Sequence, residues 1–106
     1  MNDEPLIFID HNGRKIRLTS ERQNHILEHP EMLEQLNKIR ETISSPEIVI
    51  ATDADKTVHV YHRYYNTTPV TSKFLLVVVK MLDDDAFILT AFFSNRSKKG
   101  SILWQA

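Results

Sequence analysis

The segment His25-Ile-Leu-Glu-His29-Pro30 places two imidazoles four residues apart, directly before a proline. If the stretch is helical, both rings lie on one face, because positions i and i+4 are neighbours there. Imidazole titrates closest to neutral pH, so such a pair suits proton transfer or metal binding. Three uses stand open. The string His25-x-x-Glu28-His29 matches the H-x-x-E-H pattern of inverted zinc metalloproteases, with two ligands and a glutamate base. Without a metal, one imidazole can deprotonate a hydroxyl while another group protonates the leaving oxygen. In the plainest case, one ring is solvated and the other interacts with a helix C-terminus. Zinc has little else to hold it, since the chain has no cysteine and no third ligand is assigned. The expectation is therefore no bound metal and no cofactor.

Other residues could join such chemistry. Along the stretch 57–65, alternation puts Val58, Val60, His62 and Tyr64 on one strand face and His59, Tyr61, Arg63 and Tyr65 on the other. Tyrosines interleaved with an arginine can stack on bases and pair with phosphate, so Tyr61 and Tyr65 are candidate substrate contacts. Cross-strand packing of tyrosines would give the same pattern. Lys80 ends the apolar run 74–79. With a three-residue turn at Asp83–Asp85, it would face Ile88 and share its face with Thr90 and Ser94. The loop Arg96-Ser-Lys98-Lys99-Gly100 is suited to phosphate by composition. Together with the Tyr61, Arg63, Tyr65 face it is expected to form a positive surface.

These residues need elements to hold them. Leu6–Ile9 and Lys15–Leu18 flank Asp10-His11-Asn12-Gly13, and Asn-Gly is a strong hairpin signal. A helix starts near Thr19 or Ser20, where Ser20-x-x-Gln23 fits a capping box. Met32, Leu33, Leu36, Ile39 and Ile43 recur at near-helical spacing, so a second helix should run from the Pro30 region to about Ser44 and stop before Pro46. Strands follow at 47–51, 57–65, 73–82 and 86–94, with polar loops at 66–72 and 95–100. Ile102-Leu103-Trp104 reads as a last short strand, with Trp104 plugging the core or the sheet edge. The order predicts one α+β domain over residues 1–106. It would have an N-terminal hairpin and two helices packed on a curved antiparallel sheet of about four strands.

Composition bounds the function. The 106 residues are 42% hydrophobic and 25% charged, as in a folded domain. The net charge of −1 hides an asymmetry: residues 1–55 carry eleven acids and six Lys/Arg, residues 56–106 three acids and seven Lys/Arg. A locally basic field can attract a phosphate-rich partner even on a neutral protein. The N-terminus is acidic and its apolar run short, so no secretory signal is expected. No apolar run is long enough for a membrane span. The expected location is cytoplasmic.

The ordered series of segments resembles a known family. It comprises His25-x-x-x-His29-Pro30-Glu31-Met32, Ile43-Ser-Ser-Pro46-Glu-Ile48-Val, Tyr61-His-Arg63-Tyr, Leu75-Leu-Val-Val-Val-Lys80, Ile88-Leu-Thr90-Ala-Phe-Phe-Ser94 and Lys98-Lys-Gly-Ser-Ile-Leu-Trp104. Across residues 20–104 this is similar to the phage- and mobile-element-associated branch of the barnase–EndoU–colicin–RelE-like nuclease superfamily. The resemblance implies metal-independent RNA cleavage through attack of the ribose 2′-hydroxyl. By position, it implies His25 or His29 as acid or base, Arg63 and Lys80 stabilising phosphorane charge, and Thr90 or Ser94 bonding a phosphate oxygen. Lys98 and Lys99 would contact substrate. The partner would then be RNA. A toxin-fold module that binds an antitoxin or immunity-type protein is the alternative, and a zinc hydrolase the third reading.

Overall fold

The computed structural model describes residues 4–71 and 73–106. The acidic start at residues 1–3, and Ser72 at the end of the polar loop 66–72, lie outside the described residues. Two strands, β1 (Leu6–Ile9) and β2 (Lys15–Leu18), form the expected hairpin. Helix α1 (Ser20–Leu27), a 3-10 turn (Pro30–Met32) and helix α2 (Leu36–Ser44) follow. Five strands complete the chain: β3 (Ile48–Ala51), β4 (Val58–Tyr65), β5 (Lys73–Met81), β6 (Ala86–Ser94) and β7 (Ser101–Gln105).

All seven strands join one sheet in the order β1-β2-β6-β5-β4-β3-β7. The α+β class is as expected, but the sheet is larger than about four strands and is not purely antiparallel. The hairpin docks on β6 through a parallel β2–β6 pairing at Arg17 and Phe87. The chelate between Arg17 and the Asp85 carboxylate, at 3.0 and 2.9 Å, clamps the same junction. A short hairpin buries too little by itself, so it gains stability by extending the larger sheet.

Two local expectations change. Thr19, not Ser20, caps α1, its hydroxyl accepting from the Arg22 amide at 3.2 Å. The second helical stretch is broken: Glu34 has φ +64, so a 3-10 turn precedes α2 rather than continuous helix from Pro30. Apolar spacing alone cannot reveal that break, because Met32, Leu36, Ile39 and Ile43 still face the core on both sides of it.

The helices cover one sheet face. Phe8, Ile16, Leu18, Ile26, Met32, Ile39, Ile43, Val49, Tyr61, Leu75, Val77, Val79 and Ile88 are buried together there. Removing one large side chain from such a core typically costs about 2–5 kcal/mol. On the other face, Ile50, Val60 and Leu76 form a smaller cluster. His62 is fully buried among this second set. Its Nδ1 lies 3.1 Å from the Val60 carbonyl, while its Nε2 accepts the Lys98 amide proton at 2.8 Å. Only the neutral, Nδ1-protonated ring can make both bonds. Burial pushes its pKa below the ordinary 6.5. The unfolded chain therefore takes up this proton more readily than the folded one, so the stability it confers is full above pH 6.5 and falls as pH drops through the depressed value. Urea midpoints measured between pH 7.5 and 5 should decline, and His62→Phe should flatten that decline.

Candidate active site at the hairpin cleft

The β1–β2 loop is built around Asp10. One carboxylate oxygen accepts the Asn12 and Arg14 amides at 2.9 and 2.8 Å, and the other accepts the Tyr61 hydroxyl at 2.8 Å. Gly13, at φ +82, closes the turn where a side chain would be strained. Burial, followed by the Asp10 bond, raises the Tyr61 pKa far above its ordinary value, so the phenol stays a donor. A short loop is thus fixed to the centre of the sheet through one buried carboxylate.

The fixed loop presents His11. Its ring packs against Trp104 of β7, centroids 4.6 Å apart, and meets the Tyr61 ring edge-on at 6.0 Å. β1 and β7 are the two edge strands of the sheet. Contact between the β1–β2 loop and β7 therefore means the sheet curls until its two edge elements meet. A bulge helps: Val49 pairs with Trp104 but Ile50 pairs with Ile102, leaving Leu103 as an extra residue. That insertion swings Trp104 onto the helix side with Val49, while Ile102 stays on the other face. Gly100 lets β7 reach β3, because a Cβ there would lie 2.2 Å from the Ala51 carbonyl oxygen. Gly100→Ala is expected to unseat β7 and cost about 1–3 kcal/mol. Trp104 is the only tryptophan, so a red shift of its fluorescence would report the change directly.

A cleft of about 500 Å³ opens here, lined by Asp10, His11, Arg14, His59, Tyr61 and Trp104 among others. The His11 side chain is nine-tenths buried and its Nδ1 stands 3.9 Å from the Asp10 carboxylate; both ring nitrogens are shielded from solvent, and among the described residues neither has a hydrogen-bond partner. Burial holds the His59 pKa below 6.5, and the Arg14 charge pushes the same way. Arg14 is anchored by the carbonyls of Leu82 and Asp85 in the β5–β6 turn. The cleft thus combines an imidazole beside a carboxylate, a second imidazole whose pKa is held down by burial, and a guanidinium. Among the described residues, no three His, Cys, Asp or Glu side chains cluster in a way that could hold a metal ion. Such a set is equipped for proton transfer beside an anion.

The family of phage-Barnase-EndoU-ColicinE5/D-RelE like nuclease2 domains matches residues 1–105. The chain belongs to that family. No curated protein and no solved structure matches it. This nuclease-family chain contains no helix, among its described residues, that is long and apolar enough to cross a membrane.

Within the nuclease-like fold, the residues singled out by sequence are distributed over separate surfaces. His25 sits on the exposed side of α1, in a shallow groove with Glu21, Arg22, Asn24 and Glu28. His29 does not share its face. α1 ends at Leu27, and His29 is extended at φ −90, ψ 114, because a residue before proline is driven out of the helical region. It lies instead 3.8 Å from Glu31. Arg63 and Tyr65 do lie on the face with His59 and Tyr61, but that end is covered by α2. The Arg63 guanidinium lies against Glu41 at 3.5 Å and donates to the Ser45 carbonyl at 2.7 Å. The Tyr65 hydroxyl donates to Glu41 at 2.6 Å; burial and that carboxylate push its pKa up to about 12.

Lys80, Thr90 and Ser94 share the opposite face, so Arg63 and Lys80 are separated by the sheet. The β5–β6 turn spans four residues, with Met81 opposite Ala86, so Lys80 faces Phe87 rather than Ile88. A bulge then places Thr90 opposite Val78, and Ser94 pairs with Phe74 at the far end of β5. Lys80 is ion-paired with Asp55 at 2.8 Å. Lys98 and Lys99 are exposed, beside Thr52, Asp53 and Ala54. Their loop is latched to His62 on the face away from Tyr61, so the expected joint positive surface does not form as one face. The sequence reading missed Asp10, His11, Arg14 and His59 as a site. The available signal was a histidine inside a turn flanked by Asp10 and Arg14.

Proposed function

We propose that this nuclease-family domain cleaves RNA in the hairpin cleft, without a metal, through attack of a ribose 2′-hydroxyl on the adjacent phosphorus. The observation that carries the reading is the pairing of His11 and His59 with Arg14 in one cleft. His59, neutral near pH 7 because it is buried, takes the 2′-hydroxyl proton. The freed oxygen bonds to phosphorus. Arg14 offsets the charge that builds on the non-bridging oxygens. His11 delivers a proton to the departing 5′-oxygen once its ring, shielded beside Trp104, turns toward the cleft, leaving a 2′,3′-cyclic phosphate. The Asp10 carboxylate, 3.9 Å away, is the counter-charge to that ring. A strand lacking the 2′-hydroxyl has no nucleophile in this scheme.

The test is cleavage of an RNA oligonucleotide in chelator, compared with its 2′-deoxy counterpart. Cyclic phosphate ends from RNA and no products from the deoxy strand are expected. Equal cutting of both would overturn the mechanism.

The profile of kcat/KM against pH should keep its rate below pH 6.5 before falling, because activity needs His59 neutral and its pKa is depressed. An acid limb centred above 6.5 would reject His59 as the base.

Lys80→Ala and Ser94→Ala, on the face away from the cleft, should change RNA cleavage by less than about threefold, whereas a catalytic acid or base would cost far more. A hundredfold loss in either would move the site to that face.

A further inference from the structure

The two imidazoles of the hairpin cleft stand differently. His59 is half-buried, whereas the His11 side chain is only 10% exposed, with both ring nitrogens shielded and, among the described residues, without a partner. A neutral imidazole carries one donor and one acceptor, so this ring forgoes two bonds that water would supply. What it has instead is Trp104, whose ring centroid lies 4.6 Å away at an interplanar angle of 47°. Trp104 is half-buried on the edge strand β7 and lines the cleft beside the exposed Leu103. The Tyr61 ring, 1% exposed, has no comparable face to offer. The indole is thus the open aromatic wall of the cleft, and a side chain of the protein rests on it.

We propose that Trp104 is a nucleobase-stacking site, and that a base of the strand bound in the cleft takes the place of His11 on the indole, turning the His11 ring toward the phosphate. This rests on the RNA-cleaving reading of the cleft. The exchange trades one flat heteroaromatic ring for another, so Trp104 keeps its contact. A base stacked on an aromatic side chain contributes about tenfold to a hundredfold to binding, and the displaced imidazole regains partners for both nitrogens. Without a base nothing replaces the ring contact, and His11 stays shielded. Little else has to move. The loop backbone is fixed by the Asn12 and Arg14 amides on Asp10, so rotation of the His11 side chain is enough. The cleft, at about 500 Å³, exceeds the roughly 150 Å³ that holds a benzene ring, which leaves room for a base with its sugar. Arg14 lines the same cleft and meets the attached phosphate. Every base has a π face, so the site senses that a base is present rather than which one.

The probe is the dinucleoside phosphate of deoxyadenosine, which has no 2′-hydroxyl to react, compared with its counterpart bearing hydrogen in place of both bases. Each is titrated into the full chain and followed by NMR. Trp104 is the only tryptophan, so its indole signals need no separate assignment. The free chain should show NOEs between the His11 and Trp104 rings. With the deoxyadenosine compound these should disappear, and NOEs between Trp104 and adenine should replace them. The base-free compound should bind about tenfold to a hundredfold more weakly and leave the His11–Trp104 NOEs in place. Trp104→Leu should bind the two compounds alike; the NOEs on the unaltered chain decide the point even if that variant does not fold. No adenine NOE to Trp104 at millimolar compound would overturn the stacking site. Adenine NOEs appearing while the His11–Trp104 NOEs persist would overturn the exchange. Both readouts report binding, so the two readings fail separately. The exchange seen in a chain that cuts no RNA would remove the cleavage mechanism and keep the site; RNA cleavage without it would do the reverse.

Discussion

Alanine at His59 or at His11 is expected to lower RNA cleavage about a hundredfold to ten-thousandfold, the range for loss of a positioned acid or base. The two variants should differ in more than rate. Without His59, the remaining activity should rise with pH and lose its acid limb, because hydroxide then replaces the neutral imidazole. Without His11, the deficit should shrink on a substrate whose leaving group needs no proton, such as a nitrophenyl phosphodiester of a ribonucleoside. His59 is only half-buried, so its alanine variant should melt within a few degrees of the parent. His11 is nine-tenths buried against Trp104, so its alanine variant should melt lower, and His11→Phe, which keeps the ring packing without a titratable nitrogen, separates lost chemistry from lost structure. Unchanged cleavage in both would remove the hairpin cleft from consideration.

The sequence specifies the strands more openly than it specifies the site. β1 is written as a short continuous apolar run and β2 as an alternating one, around Asn12-Gly13, and β5 and β6 as long apolar runs around an acidic turn. Local chemistry decides such elements, so they can be read locally. The docking of the hairpin on β6 through one parallel pairing leaves no local trace, and neither does the curl that brings the edges together. His29 falls between these cases. Helical spacing pairs it with His25, yet Pro30 already argues that it leaves the helix. Bulges are the hardest to foresee. One residue inserted at Leu103 decides which face receives Trp104, and another near Leu89 shifts Thr90 relative to Lys80. The catalytic candidates depend on these long-range features. His11 reads as a turn residue until β7 arrives beside it, and His59 reads as one of four polar residues on a strand until α2 covers Arg63 and Tyr65 and leaves His59 open to the cleft.

Asp10→Ala should be among the most damaging single changes to the hairpin cleft. The carboxylate is buried and accepts three bonds, from the Asn12 amide, the Arg14 amide and the Tyr61 hydroxyl. Its removal leaves a buried phenol and two loop amides without their partner, at about 1–3 kcal/mol for each group that water cannot reach. The amides sit at a loop that water can enter, so a total of about 3–5 kcal/mol is expected, centred on the Tyr61 hydroxyl and the lost charge-assisted bonds. For a domain of this size, that corresponds to a melting temperature lower by roughly 12–30 °C. Tyr61→Phe removes only one of the three bonds and keeps the ring in the core, so it should cost far less and preserve the loop. Cleavage distinguishes the two variants further. Tyr61→Phe leaves the carboxylate 3.9 Å from His11 and should retain most activity. Asp10→Asn keeps an oxygen for the loop amides but removes the counter-charge to His11, so it should lose activity beyond its loss of stability. Equal melting temperatures for Asp10→Ala and Tyr61→Phe would show that the loop is held by something other than this carboxylate, and the positioning of His11 would need another cause.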